Sequence, residues 1–125
     1  MIHFSSKRMT WKTPKWLYDE LNEEFAFDFD PCPPNPTFDG LQIDWGTMNF
    51  VNPPYGRALP DWVNKAWWEF RRQKRSVLLI PSRTDTRYWH DVIFPFATEI
   101  RFMPGRLKFD DQKNSAPFPS AVIVF

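Results

Sequence analysis

Four consecutive residues, Asn52-Pro53-Pro54-Tyr55, combine side-chain types that could do chemistry. Two successive prolines fix two φ angles and remove two N–H donors, so the carbonyls of the turn face no competing local donor. An exocyclic amine approaching the turn can give one hydrogen to the Asn52 side-chain oxygen and the other to the Pro53 carbonyl. Its lone pair is then held toward an electrophile. Tyr55 can stack on the attached ring, worth roughly 1–3 kcal/mol for a base on an aromatic side chain. The pattern suits an amino group on a flat heterocycle. Pro-Pro followed by an aromatic residue also occurs in ordinary turns, so the tetrapeptide needs support from the elements that carry it.

Those elements alternate along the chain. In residues 13–25, "TPKWLYDELNEEF", Leu17, Leu21 and Phe25 recur at helical spacing, with Thr13 expected as N-cap and Pro14 at the first helical position. "AFDFDP" alternates apolar and acidic residues and predicts a short strand ending at Asp30, followed by the proline-rich loop "CPPNPTFDG". "MNFV" predicts a strand that delivers Asn52 at its carboxyl end. Pro60 then opens a helix with Trp62, Val63, Ala66, Trp67 and Phe70 in one apolar stripe. "SVLLIP" has the nearly all-apolar character of a strand in the centre of a parallel sheet. "TDTRYWHDVIF" predicts a short helix capped by Thr84 or Asp85 and stopped by Pro95, and "TEIRFM" is strand-like. "GRLKF" and "SAVIVF" predict an antiparallel pair around the polar loop "DDQKNSAPFP". The expected fold is α/β, with a mostly parallel sheet and an antiparallel ending. Ligands in open α/β sheets sit outside the carboxyl ends of the strands, so Asp30, residues 52–55 and residues 81–86 should line one rim.

Composition limits the setting. A chain of 125 residues predicts one domain, and 42% apolar with 25% charged residues falls in the globular range. The single cysteine rules out an internal disulfide and, with no Cys/His cluster, argues against structural zinc. The start, "MIHFSSKRMTWKTP", has no continuous apolar segment, and no run is long enough to span a bilayer. A soluble, cytoplasmic protein is expected. Net charge is only +1, yet "EFRRQKR" and "PSRTDTR" concentrate positive charge. Such runs either meet phosphates or are solvated helix ends. Seven Trp and thirteen Phe supply core or stacking material, and an exposed apolar face among them would point to a homodimer.

The tetrapeptide matches the (Asp/Asn/Ser)-Pro-Pro-aromatic signature of amino-group methyltransferases that use S-adenosylmethionine. With "TWKTPKWLYDEL", "FDFDPCP", "DGLQIDW", "FVNPPYG", "VLLIPSRTDTRYWH", "MPGRLKF" and "APFPSAVIVF" in this order, the chain from Trp11 to Phe125 resembles the phage-type DNA N6-adenine methyltransferase (Dam) family. The resemblance implies a reduced Rossmann-like class I methyltransferase fold. It also implies direct transfer of methyl from S-adenosylmethionine to adenine N6 in DNA, in the cytoplasm of a host cell if the chain is phage-encoded. Asn52, Pro53, Pro54 and Tyr55 would be catalytic, on a base flipped from the duplex or taken from a single strand. Asp30, Pro31 and Cys32 would face the methionine part of the cofactor, Trp11, Thr13 and Pro14 would approach the same moiety, and Asp39 and Asp44 are candidates for its adenosine end. Arg57, Arg83, Arg87, Arg106 and Lys108 are the candidate DNA contacts. No metal is required. Cys32 is expected as a small packed residue and His90 as a packed or surface one.

The sequence also departs from the family pattern. It has four glycines and no Gly-x-Gly after the first expected strand, and the interval from Asp30 to Asn52 is too short for two βα units. A reduced sheet, or a cofactor site shared with another subunit, follows. With no separate target-recognition domain, base edges would be read from "GRALP" or "DDQKNSAPFP". The same tetrapeptide also serves N4-cytosine methyltransferases and enzymes acting on a protein glutamine or an RNA base. A nucleic-acid-binding domain that has lost its cofactor is the non-enzymatic alternative.

Overall fold

The apolar run at 76–81 organises the chain. In a computed structural model, which describes residues 11–125, it forms the interior strand β2 (Arg75–Pro81), with Val77, Leu78, Leu79 and Ile80 fully buried. Each such side chain contributes about 1.5–3 kcal/mol by leaving water. On one side β2 pairs in parallel with β1 (Met48–Val51), and on the other it pairs antiparallel with β4 (Ser120–Val124). β4 in turn pairs antiparallel with β3 (Glu99–Phe102), giving the order β1-β2-β4-β3.

Two expectations about the sheet are corrected. It is mixed rather than mostly parallel, with one parallel pairing and two antiparallel ones. "GRLKF" is not the partner of the last strand. β4 is buried at every position and inserts between β2 and β3, while 105–109 stays irregular and sends Leu107 and Phe109 into the core. "AFDFDP" is also less than a strand. It makes a single parallel bridge, Phe29 to Asn49, because the Asp28 carboxylate takes the Thr47 and Met48 N–H groups and Pro31 offers none.

The helices keep their expected apolar faces but not all their expected ends. α1 (Lys15–Phe25) buries Leu17 and Leu21, and α2 (Leu59–Arg71) carries Pro60 in its first turn and buries Trp62, Val63 and Ala66. Thr13 does not cap α1 and Pro14 is not its first helical residue. Pro14 is itself the N-cap, with ψ 131, and its carbonyl accepts from Leu17 and Tyr18. Pro95 does not stop the third helical segment. A π-helical turn, Trp89–Ile93, runs into α3 (Phe94–Phe96), and the Phe94 N–H reaches the carbonyl of Trp89. The wider turn accommodates a proline that lacks an N–H and whose ring crowds the preceding turn. No side chain caps this segment. The Thr84 carbonyl bonds His90 Nε2 at 2.7 Å instead. No helix among the described residues is long and apolar enough to cross a membrane, and the amino-terminal segment 1–10 lies outside the described residues.

Candidate active site

Parallel pairing puts the ends of β1 and β2 on one edge of the sheet, so Asn52 and the segment after Pro81 leave together. The Phe29 bridge delivers Asp30 to the same edge. Pro119 joins it because β4 runs the other way, and its carbonyl accepts from Ser82 at 2.9 Å. The rim expected from the sequence is therefore assembled.

Asn52 is its centre. Both hydrogens of Nδ2 are held by the segment before α1, one by the Trp11 carbonyl and one by Thr13 Oγ1 at 2.9 Å. Trp11 offers only an acceptor there, so the reversed amide would set oxygen against oxygen. Asn52 Oδ1 is buried and has no partner among the described residues. A buried acceptor left without a donor costs about 1–3 kcal/mol, which a donor entering the site would recover.

Pro53 and Pro54 are buried. Tyr55 is only 5% exposed, and its hydroxyl donates to the Leu79 carbonyl at 3.0 Å. Its ring stands edge-on to Phe118 and Phe109, centroids 5.6 and 6.4 Å apart, and Trp11 packs against the same two rings. In this conformation Tyr55 is a wall of the site rather than an open stacking surface. Phe109 and Phe118 were not singled out from the sequence, although both lie in the blocks "MPGRLKF" and "APFPSAVIVF".

Asp30 follows the bridge and accepts from the Cys32 N–H at 2.9 Å. Burial raises its carboxyl to about 6, and no Lys or Arg among the described residues forms an ion pair with it. Burial, reinforced by Asp30, pushes the Cys32 thiol up to about 12, so it is no nucleophile at neutral pH. Pro31 is buried, and its carbonyl sits where a Cβ on Gly40 would lie at 2.0 Å. At Gly46 a Cβ would lie 2.5 Å from Asp28 Oδ1. These two glycines serve internal packing.

The remaining candidates divide. Asp39 closes its own turn through the Leu41 N–H. Asp44 is not brought to Asn52. It lies at the amino ends of β1 and β2, paired with Arg72 at 2.9 Å and lining a separate shallow pocket with Asp28 and Lys74. The run "RRQKR" is at that end too. Arg71 stacks over Trp67 and Trp68, Lys74 donates to the Trp45 carbonyl, and Arg75 to that of Phe125, as expected of a helix end. Arg57, Arg83, Arg106 and Lys108 are exposed on loops leaving the Asn52 edge, while Arg87 is paired with Asp91. In "DDQKNSAPFP" the first two residues, though exposed, are tied to the segment before α1. Asp110 Oδ2 accepts from the Lys15 N–H at 2.9 Å and Asp111 Oδ1 from the Lys12 N–H at 3.1 Å.

Among curated proteins none matches the chain significantly. The family model described as DNA N-6-adenine-methyltransferase (Dam) matches residues 3–124, nearly the whole length and every element of the rim. The chain belongs to that family, and is an enzyme that methylates adenine N6 in DNA.

Proposed function

We propose that the rim around Asn52 is where methyl passes from S-adenosylmethionine to the adenine amine. The observation that carries this is the Asn52 amide, with both hydrogens held and its oxygen buried and without a partner among the described residues. That oxygen and the Pro53 carbonyl take the two amine hydrogens and aim the nitrogen lone pair. As the nitrogen bonds carbon it gains positive charge beside these two acceptors, so alignment and electrostatics supply the rate without a covalent enzyme intermediate. The extra proton leaves to water, since an amide cannot hold it. Tyr55 and its aromatic neighbours close the pocket for a flipped base.

The residues present fit the cofactor at its cationic end. Asp30 is a largely buried carboxylate with no ion-pair partner among the described residues, which suits the positively charged methionine part; Trp11, Pro14, Pro31 and Cys32 lie on the two segments that reach this edge, where the Thr13 hydroxyl is taken by Asn52. When bound, S-adenosylmethionine supplies a methyl whose bond to sulfur breaks with the electron pair going to sulfur. Of the two adenosine-end candidates, Asp39 stays near the Pro31 loop and is the one proposed. The fold is proposed as a reduced Rossmann-like sheet in one domain. In support, β1, β2 and β3 run the same way, only β4 is reversed, and the Phe29 bridge extends the parallel side. Arg57, Arg83, Arg106 and Lys108 are the proposed phosphate contacts.

The test is to incubate the protein with S-adenosylmethionine and unmethylated DNA, digest to nucleosides and weigh them. N6-methyladenine is expected. N4-methylcytosine alone would reassign the target, and no methylated nucleoside would contradict the proposal.

A further inference from the structure

An asparagine amide has two orientations of nearly the same shape and opposite hydrogen-bonding sense. With oxygen toward the target it accepts from the amine. Reversed, it sets donor against donor and removes the acceptor. The choice is made outside the Asn-Pro-Pro-Tyr turn, by residues about forty positions earlier: the Trp11 carbonyl and Thr13 Oγ1 both take hydrogens from Asn52 Nδ2. Thr13 is half-buried and does not cap α1, so its hydroxyl is available for this contact. The segment carrying it is fixed in turn by the loop before β4. Asp110 donates its N–H to the Lys12 carbonyl at 3.0 Å and accepts from the Lys15 N–H, and Asp111 accepts from the Lys12 N–H.

We propose that Thr13 is a positioning residue: with the Trp11 carbonyl it locks the Asn52 amide with its oxygen toward the target amine. This rests on the reading of Asn52 as the acceptor for that amine. A residue acting in this way influences the methyl-transfer step and not the binding of either substrate. Thr13→Val keeps the shape and removes the acceptor, whereas Thr13→Ser keeps the hydroxyl.

The experiment measures kcat and both KM values for the wild type and the two variants, with melting temperatures to show that each is folded. In parallel, nitrogen-15 NMR follows exchange and splitting of the Asn52 side-chain amide protons. Thr13→Val should lower kcat by about tenfold or more, as removal of one such hydrogen bond implies, with KM for S-adenosylmethionine and DNA within about twofold. Thr13→Ser should restore the rate. The wild-type Asn52 amide protons should be protected, and one of them should lose protection in Thr13→Val. A Thr13→Val enzyme with wild-type kcat, or with only KM for S-adenosylmethionine raised, would overturn the proposal, as would unprotected Asn52 amide protons in the wild type. A wild type with protected amide protons but no methyl transfer would instead remove the reading of Asn52 while leaving Thr13 as the group that holds it.

Discussion

At the scale of single residues, the site is made of groups left unsatisfied. Among the described residues Asn52 Oδ1 has no donor and Asp30 no cation, and both conditions cost stability that the proposed ligands would recover. For Asp30 the sign follows from its raised carboxyl, at about 6 against an ordinary 3.8. Between these values the native state holds a proton that the unfolded chain has released, so stability falls as pH rises from about 4 to about 6 and is flat above. Asp30→Asn should remove that slope and stabilise the protein at pH 7, by on the order of 2 kcal/mol, while weakening S-adenosylmethionine binding. Urea melts across pH 4–8 and calorimetric titration check both halves. A variant no more stable at pH 7 would place the Asp30 carboxylate in a solvated setting. Asn52 stands out in the sequence because its proposed role draws on four adjacent residues. The orientation of its amide does not, since the partners lie 39 and 41 positions away.

At the scale of elements, local signals succeeded and distant ones did not. The stripe from Trp62 to Phe70 and the apolar run of β2 announce themselves within a few residues, and both elements formed where expected. The start of α1 was misplaced because its real anchor, Asp110, is 95 residues along the chain. Likewise "SAVIVF" reads as a strand, but nothing in it tells that its neighbours are β2 and β3 rather than "GRLKF". Pro95 misled because a π turn absorbs the proline that would end an α-helix. Asp110→Ala should cost about 1 kcal/mol, as loss of a cap does, and should also slow methyl transfer by loosening the Thr13 segment. Asp110→Asn keeps an acceptor for the Lys15 N–H and should lose less of both. Denaturant titration beside a methylation assay measures the pair. Equal losses in the two variants would show that charge at the helix start matters more than the hydrogen bond.

At the scale of the whole molecule, the two edges of the sheet divide the labour. At the amino edge the cations are tied to structure: Arg72 to Asp44 and Glu69, Lys74 to Trp45, Arg75 to Phe125 and Thr98. At the other edge Arg57, Arg106 and Lys108 are exposed around the rim. The densest basic run of the sequence, residues 71–75, lies at the amino edge, whereas the candidate contacts Arg57, Arg83, Arg106 and Lys108 lie at the other, and the fold separates the two groups. Replacing Arg106 and Lys108 by Gln should reduce the salt dependence of DNA binding by about one for each phosphate no longer neutralised, whereas Arg71→Gln should leave it unchanged. The opposite ranking, in binding isotherms at several salt concentrations, would move the DNA face to the amino edge. The central claim remains the Asn52 oxygen. Asn52→Ala, compared with wild type for methyl transfer to DNA and for thermal stability, tests it most directly. A folded variant whose rate falls by about two orders of magnitude or more is predicted; one that melts like the wild type and still methylates adenine at the wild-type rate would contradict the account.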